Sequence, residues 1–367
     1  MKARFIIILF FALYHVNCIL PFINILEDKN SSTIKTTYIY GHINPDADAI
    51  LSPIILTDYL KKMGNPNNII PCRLGEINKE TQYVLNFFQL PSPILISDLS
   101  GADEEIIVDH NAPSQSLDFE KANIIGLIDH HAITGFESTN PIDIITKPVG
   151  CTSTILYELY KQNNITISKT IAGLMISAII SDTLLLKSPI TTQYDIDAVI
   201  LLADSIGMDY KNYGYMMLEA GTDVSDLSEY DIINLDSKNY IVNGYNIQIA
   251  FLNSIDVSVI LYRKEKLLEE INKFINKNKL QLFVLVIVNI KDMDSTILVS
   301  GSLYKVVETA FNVKVIDNEA FLKGISSRKK EVYPFIANVI NELPKNSNNH
   351  KWIKLSGLLI LSLFLLI

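Results

Sequence analysis

A two-domain α/β protein, with a parallel-sheet domain first and a smaller α/β domain after it, is what three features of this sequence predict. Strand-like and helix-like segments alternate from Thr36 to about Gly221, clusters of acids and histidines follow apolar runs, and a polar, acidic stretch at 222–236 precedes a second alternating series. Alternation of this kind gives parallel strands joined by crossover helices. The expected first domain covers 36–221, the linker 222–236 and the smaller domain 237–343.

The apolar runs at 37–40, 106–108 and 124–128 read as strands. A fourth run at 171–180, strand-like over 176–180, is expected to deliver Asp182 to the mouth of a buried element. In the smaller domain 240–252, 281–289 and 295–300 read as strands and 260–276 as helix. Open parallel sheets collect ligands outside the carboxyl ends of their strands, and the clusters sit at those ends.

Those clusters carry the chemistry. His42-x-x-x-Asp46-x-Asp48, Asp109-His110-Asn111 and Asp129-His130-His131 hold four of the six histidines, and Ser181-Asp182-Thr183 adds one more acid. Carboxylates mixed with imidazole and lacking thiolate suit Mn²⁺ or Mg²⁺ better than structural Zn²⁺. Asp46 and Asp48 stand two apart, so an extended loop could aim both at one pocket, whereas a helix would splay them. A lone Asp-His pair is usually a cap or surface loop, and Asn44-Pro45-Asp46 alone is a turn former. Four such segments, each after an apolar run, make coincidence the poorer explanation.

On these residues the chain resembles the family II inorganic pyrophosphatases, the manganese-dependent branch of the DHH phosphoesterases. The likeness extends, in the family's order, through Arg73-Leu74-Gly75-Glu76, Pro148-Val149-Gly150-Cys151-Thr152-Ser153-Thr154, the run ending at Asp182, Leu184-Leu185-Leu186-Lys187-Ser188-Pro189, and Ser326-Ser327-Arg328-Lys329-Lys330 near the other end. It covers about 36–343.

The resemblance implies a DHH domain, a DHHA2-type domain and an active site in the cleft between them. It implies two Mn²⁺ per site, with Co²⁺ or Mg²⁺ able to substitute and further Mg²⁺ arriving with substrate. His42 and Asp46 would bind one ion, Asp48, His130 and Asp182 the other, and Asp109 would bridge. His131 would serve as general acid or phosphate ligand, and Lys238, Arg328 and Lys329 would hold pyrophosphate, which is split to two phosphates by an activated water. A homodimer through the N-terminal domain is also implied. Ala132 and Glu331 depart from the family's basic residue and Gln, and Glu331 is the more suspect because an acid there could weaken anion binding.

The alternatives are a short-chain exopolyphosphatase or another DHH phosphodiesterase and, from a different class, a catalytically silent membrane-tethered binding protein. Relatives acting on nucleic acid usually carry Gly-Gly-Gly-His in the second domain, and none occurs here. A net charge of −9 likewise argues against nonspecific nucleic-acid binding, which needs a basic surface. Cys18, Cys72 and Cys151 form no metal or disulfide pattern.

Both termini are apolar. Residues 1–18 read as a signal peptide or an apolar extension, and 353–367 as an apolar tail for GPI attachment or tail anchoring. The expected location is the secretory pathway or a membrane, with the cytoplasm as the alternative.

Overall fold

The computed structural model describes residues 34–117 and 119–346, without the side chain of Glu120. The expectations for 1–18 and 353–367 lie outside the described residues. Among the described residues no helix is long and apolar enough to cross a membrane. The chain forms two compact units that divide between Met217 and Leu218.

The first unit contains β1 (Thr36–Tyr40), α1 (Ala47–Lys62), β2 (Asn68–Arg73), α2 (Lys79–Phe87), β3 (Ile94–Leu95), β4 (Glu104–Val108), β5 (Ile124–Asp129) and β6 (Asp143–Thr146). Helices α3 (Thr152–Gln162), α4 (Lys169–Thr183) and α5 (Gln193–Ile206) follow, and α6 (Tyr210–Thr222) runs across the division. The strands lie in the order β3-β2-β1-β4-β5-β6, every neighbouring pair parallel. Chain direction across the sheet reverses between β1 and β4, which opens the ligand crevice of an open α/β sheet just beyond their carboxyl ends.

Local sequence explains the start of α1. Asp46 is its N-cap and accepts the backbone N–H of Ala49 at 3.1 Å. Pro53 inside the helix cannot donate to the Ala49 carbonyl. That carbonyl is where Gly41 packs: a Cβ on Gly41 would lie 2.4 Å from Ala49 O, so glycine alone lets β1 pass this close to α1. Ile50, Leu51, Ile55, Leu56 and Leu60 then bury α1 on nearly all sides. Truncating one of these to Ala would cost roughly 2–5 kcal/mol.

Helix α4 overturns one expectation. Residues 176–180 are helical, not a strand, and Asp182 sits in the last helical turn. Ile171–Ile180 is buried all round, so it lacks the polar stripe that marks an amphipathic helix, and periodicity cannot separate such a segment from a buried strand.

The second unit contains α7 (Glu229–Asn234), β7 (Ser237–Val242), β8 (Tyr245–Ser254), α8 (Val257–Leu261), α9 (Lys264–Asn278), β9 (Leu282–Asn289), β10 (Asp294–Ser300), α10 (Tyr304–Phe311), β11 (Glu319–Leu322) and α11 (Tyr333–Asn341). Its sheet has the order β11-β10-β9-β8-β7, parallel only at β8–β9. Residues 240–252 become a hairpin because Asn243 and Gly244 both take positive φ, as its tight turn requires. Strand β9 is apolar without a break because both sides are covered. Leu282, Val284, Val286 and Val288 pack with Val306, Val307, Ile336 and Ile340, while Phe283, Leu285 and Ile287 pack with Ile232, Ile233, Leu267 and Ile271. Residues 222–236 thus contain a helix whose isoleucines are part of this core.

Candidate active site

Loops after β1, β4 and β5, the N-terminus of α1 and the C-terminal turn of α4 supply one cluster. His42 Nε2 lies 3.5 Å from Asp46 Oδ2 and 3.6 Å from Asp109 Oδ2. His130 Nε2 lies 3.3 Å from Asp109 Oδ1 and 3.9 Å from Asp182 Oδ2. The donor atoms of His42, Asp46 and Asp109, and those of Asp48, His130 and Asp182, each lie within 4.8 Å of one another, and so do those of Asp109, His130 and His131. Asp109 borders both histidine groups, the placement a shared carboxylate needs.

The route by which Asp46 and Asp48 reach the cluster differs from the expected extended loop. Asp46 caps α1 and Asp48 lies in its first turn, so the two diverge and join different groups. Asp48 is fully buried, and its carboxylate accepts Ser52 Oγ at 2.6 Å, Thr152 N at 2.7 Å and Ser153 Oγ at 3.0 Å. The N-terminus of α3 therefore holds it, with amide donors and helix dipole acting together. Gly150 precedes that terminus, and a Cβ there would lie 2.7 Å from Thr183 and 2.8 Å from Asp195 Oδ2. Buried Asp195 accepts Gly150 N at 2.9 Å and the Thr154 hydroxyl, tying the loop to α5.

Backbone strain lies at one candidate ligand and just after another. Asp109 takes φ of 60°, and Leu184, Leu185 and Leu186, just after Asp182, all lie in the left-handed region. Each such residue costs about 1–2 kcal/mol. The leucine turn is held by Lys187 N and Ser188 N, both donating to Thr183 O at 2.9 and 2.8 Å.

Electrostatics show what the cluster lacks. Asp109 Oδ2 and Asp182 Oδ2 are buried with no hydrogen-bond partner. Burial first, then the charges of Asp48 and Asp46, pushes both carboxyls well above the ordinary range. Burial would raise Asp46 too, but His42 holds it below its usual value. Unpaired buried carboxylates are costly unless a cation satisfies them. Imidazole on His130 is preset for that role, since its Nδ1 faces Val149 O at 3.1 Å, leaving Nε2 to the cluster. The residues fit a pair of divalent cations.

His131 has a different setting. Its Nδ1 is 2.9 Å from Asp129 Oδ1, and this bond raises the ring's proton affinity against the opposing effect of burial. Asn111 donates to Asp129 Oδ2 at 2.6 Å and to Ala132 O at 3.1 Å, fixing that carboxylate. His110, counted among the histidines of the motif, points elsewhere. It bonds Val108 O and Ser116, and burial lowers its pKa to about 4.

In the second unit Lys238, Arg328 and Lys329 line one cavity of about 520 Å³ with Asp236, Tyr240, Phe251, Ser326, Ser327 and Tyr333. Lys330 does not line it. Asp129, Asn111, Asp195 and Asp236 had no assigned role from sequence. Thr192-x-x-Asp195 is a capping-box pattern that could have flagged Asp195.

A parallel α/β unit with an Asp/His cluster at its switch point fits the class of metal-dependent hydrolases, and two family models match the chain. The DHH family N-terminal domain matches 36–179 and the DHHA2 domain 215–339. The chain is 43% identical over 306 residues to the manganese-dependent inorganic pyrophosphatase of Bacillus subtilis, covering 83% of this chain and 98% of that one. It is 42% identical over 307 residues to the "probable manganese-dependent inorganic pyrophosphatase" of Brevibacillus brevis, with the same coverage. A crystal structure of a Methanococcus jannaschii protein assigned to the family II inorganic pyrophosphatases matches with a TM-score of 0.59 and 39% identity, over 83% of this chain and 99% of that one. The chain belongs to the family II, manganese-dependent inorganic pyrophosphatases.

Proposed function

We propose that this protein hydrolyses inorganic pyrophosphate to two phosphates with a pair of Mn²⁺ ions. The observation that carries the reading is Asp109, a buried, strained and partly unpartnered carboxylate set between two histidine-carboxylate groups in a member of this family. His42 and Asp46 would hold one ion, Asp48, His130 and Asp182 the other, and Asp109 both. Bound there, the ions supply water acidification and neutralise charge growing on phosphate oxygens.

The chain's own groups do the rest. Thr152, Ser153 and Ser52 fix Asp48, and Val149 fixes the His130 ring. Asp129 keeps His131 inclined to carry a proton, so Nε2 can donate it to a phosphate oxygen or leaving group as general acid. Lys238, Arg328 and Lys329 would engage the phosphate oxygens, Arg through its planar fork and the lysines as point charges.

Assaying phosphate release by the purified protein from pyrophosphate, tripolyphosphate and a dinucleotide tests this. Pyrophosphate should be preferred, with Mn²⁺ or Co²⁺ activating better than Mg²⁺ and free Mg²⁺ adding to turnover through the substrate. Preference for tripolyphosphate would instead indicate a short-chain exopolyphosphatase. No release with any divalent ion would leave the silent binding protein.

A homodimer through the first unit is expected, checked by its mass in solution. The apolar ends support entry to the secretory pathway and association with a membrane, the cytoplasm being the alternative. Intact, uncleaved chain in a soluble cytoplasmic fraction would overturn that part.

A further inference from the structure

In the second unit, Asp236, which lines the basic cavity, and Glu331, beside it, are both hydrogen-bonded to donors of the chain itself. Asp236, just before β7, accepts Arg328 Nη2 on Oδ1 and Arg328 Nη1 on its carbonyl, each at 2.8 Å. The same carbonyl accepts Phe251 N at 2.8 Å, which anchors it to the sheet. The Arg328 guanidinium lies 6.0 Å from the Phe251 ring centroid, and its side chain is only 13% exposed. One hydrogen from each terminal nitrogen is thus engaged, while Nε and the second hydrogen on each Nη stay for other acceptors.

Glu331 works from the other side. Its Oε2 accepts the backbone N–H groups of Ser326 and Ser327, both at 2.9 Å. Ser327 answers, with Oγ accepting Lys330 N at 3.2 Å and its carbonyl accepting Glu331 N and Val332 N at 3.0 Å. The last of these closes a wide, π-type turn over Arg328–Val332. Arg328 therefore leaves a turn closed by reciprocal side-chain and backbone bonds, and its far end is held by Asp236. Long side chains that are mobile in the free protein lose rotamer freedom when they capture a ligand, and prior immobilisation removes that loss.

We infer that Asp236 and Glu331 are positioning residues that set Arg328 for a diphosphate anion, so the acid at 331 supports anion binding instead of opposing it. The inference rests on the pyrophosphatase reading but is separable from it. Glu331 spends its charge on amides, and Asp236 spends its charge on the guanidinium. Each acid's charge is met by a donor of the chain itself.

The test uses the full Mn²⁺-loaded protein and reads KM and kcat for pyrophosphate, Kd for methylene bisphosphonate, and bound manganese. Glu331→Ala and Asp236→Ala should each raise KM and the bisphosphonate Kd about tenfold, the scale of losing a charge-assisted hydrogen bond, with kcat and manganese within about twofold. Glu331→Gln should recover most of the loss, because its amide oxygen can accept both N–H groups. With Arg328→Ala already present, Asp236→Ala should add no further rise, as expected if it acts through that arginine.

Unchanged KM and Kd in the alanine variants would overturn the inference, and so would a Gln variant as impaired as the Ala variant. Should an alanine variant fail to fold, Asp236→Asn decides for its site, since it keeps an acceptor but no charge. A rise of about threefold supports the inference and none overturns it. Glu331→Asp decides for the other, its shorter carboxylate losing reach, with the same two outcomes. A wild type that binds bisphosphonate without hydrolysing pyrophosphate would sink the function reading while leaving the Kd comparison to judge Asp236 and Glu331.

Discussion

The two units present opposite chemistry on opposite terms. In the first, the candidate functional groups include buried carboxylates, with Asp48 at 0% and Asp109 at 1% exposure, crowded together and short of positive charge. In the second they are cations at the surface, and the one that is partly covered, Arg328, has its own acid beside it. The contrast follows from desolvation. A divalent cation repays the burial of several carboxylates at once, so its site can be built inside the fold and left unsatisfied until the ion arrives. Phosphate oxygens are met by flexible or locally paired cations that water otherwise solvates, and no comparable strain is stored there.

Breaking the buried side should have the largest effect. Asp109→Ala is expected to lower kcat by several orders of magnitude and to reduce bound manganese, measured by phosphate release and metal analysis. Equal losses in Asp109→Ala and Lys330→Ala would show that the roles are assigned wrongly.

The next effect is on stability without metal. The carboxyl of Asp109 is raised in the folded state, so its contribution is full below its unfolded pKa of about 4 and is lost as pH rises toward the folded value. Asp109→Asn should therefore raise the Tm of chelator-treated protein at pH 8, with the gain vanishing near pH 4. Wild-type manganese affinity should fall with falling pH, because Asp109 and Asp182 must release protons to bind.

Smaller again is the loss of the carboxylate behind His131. Asp129→Asn should cut kcat by roughly 10–100-fold, the usual scale for removing an orienting partner, with the alkaline limb of the pH profile moved to lower pH because His131 loses the bond that favours its protonated form. Lys329→Ala should raise KM about tenfold with manganese content unchanged, as for an exposed phosphate contact. Lys330→Ala, outside the cavity, should change either constant by less than about twofold.

Much of this was legible because local chemistry left marks in the chain. Alternating segments point to the parallel sheet, and Asp and His after apolar runs point to the candidate metal cluster. The sequence marks 222–236 as a polar linker but does not mark Ile232 and Ile233 as core. Residues 176–180 resemble a strand in the sequence because burial on every side of the helix erases periodicity. Asp46 and Asp48 look like an extended pair in the sequence because the N-cap role of Asp46 depends on where α1 begins.

Residue types, their order and their spacing by themselves determined the class of fold, the identity of the candidate ligands and the basic cluster at 328–330. What only the tertiary structure decided was pairing across long separations: Asp48 on Thr152 and Ser153, Asp109 between His42 and His130, Asp129 behind His131, and Arg328 on Asp236. The physical reason is that a carboxylate has the same sequence signature whether it binds a cation, orients a histidine or holds an arginine. Its role is set by which donors the folded chain brings within about 3 Å, and that is a property of packing.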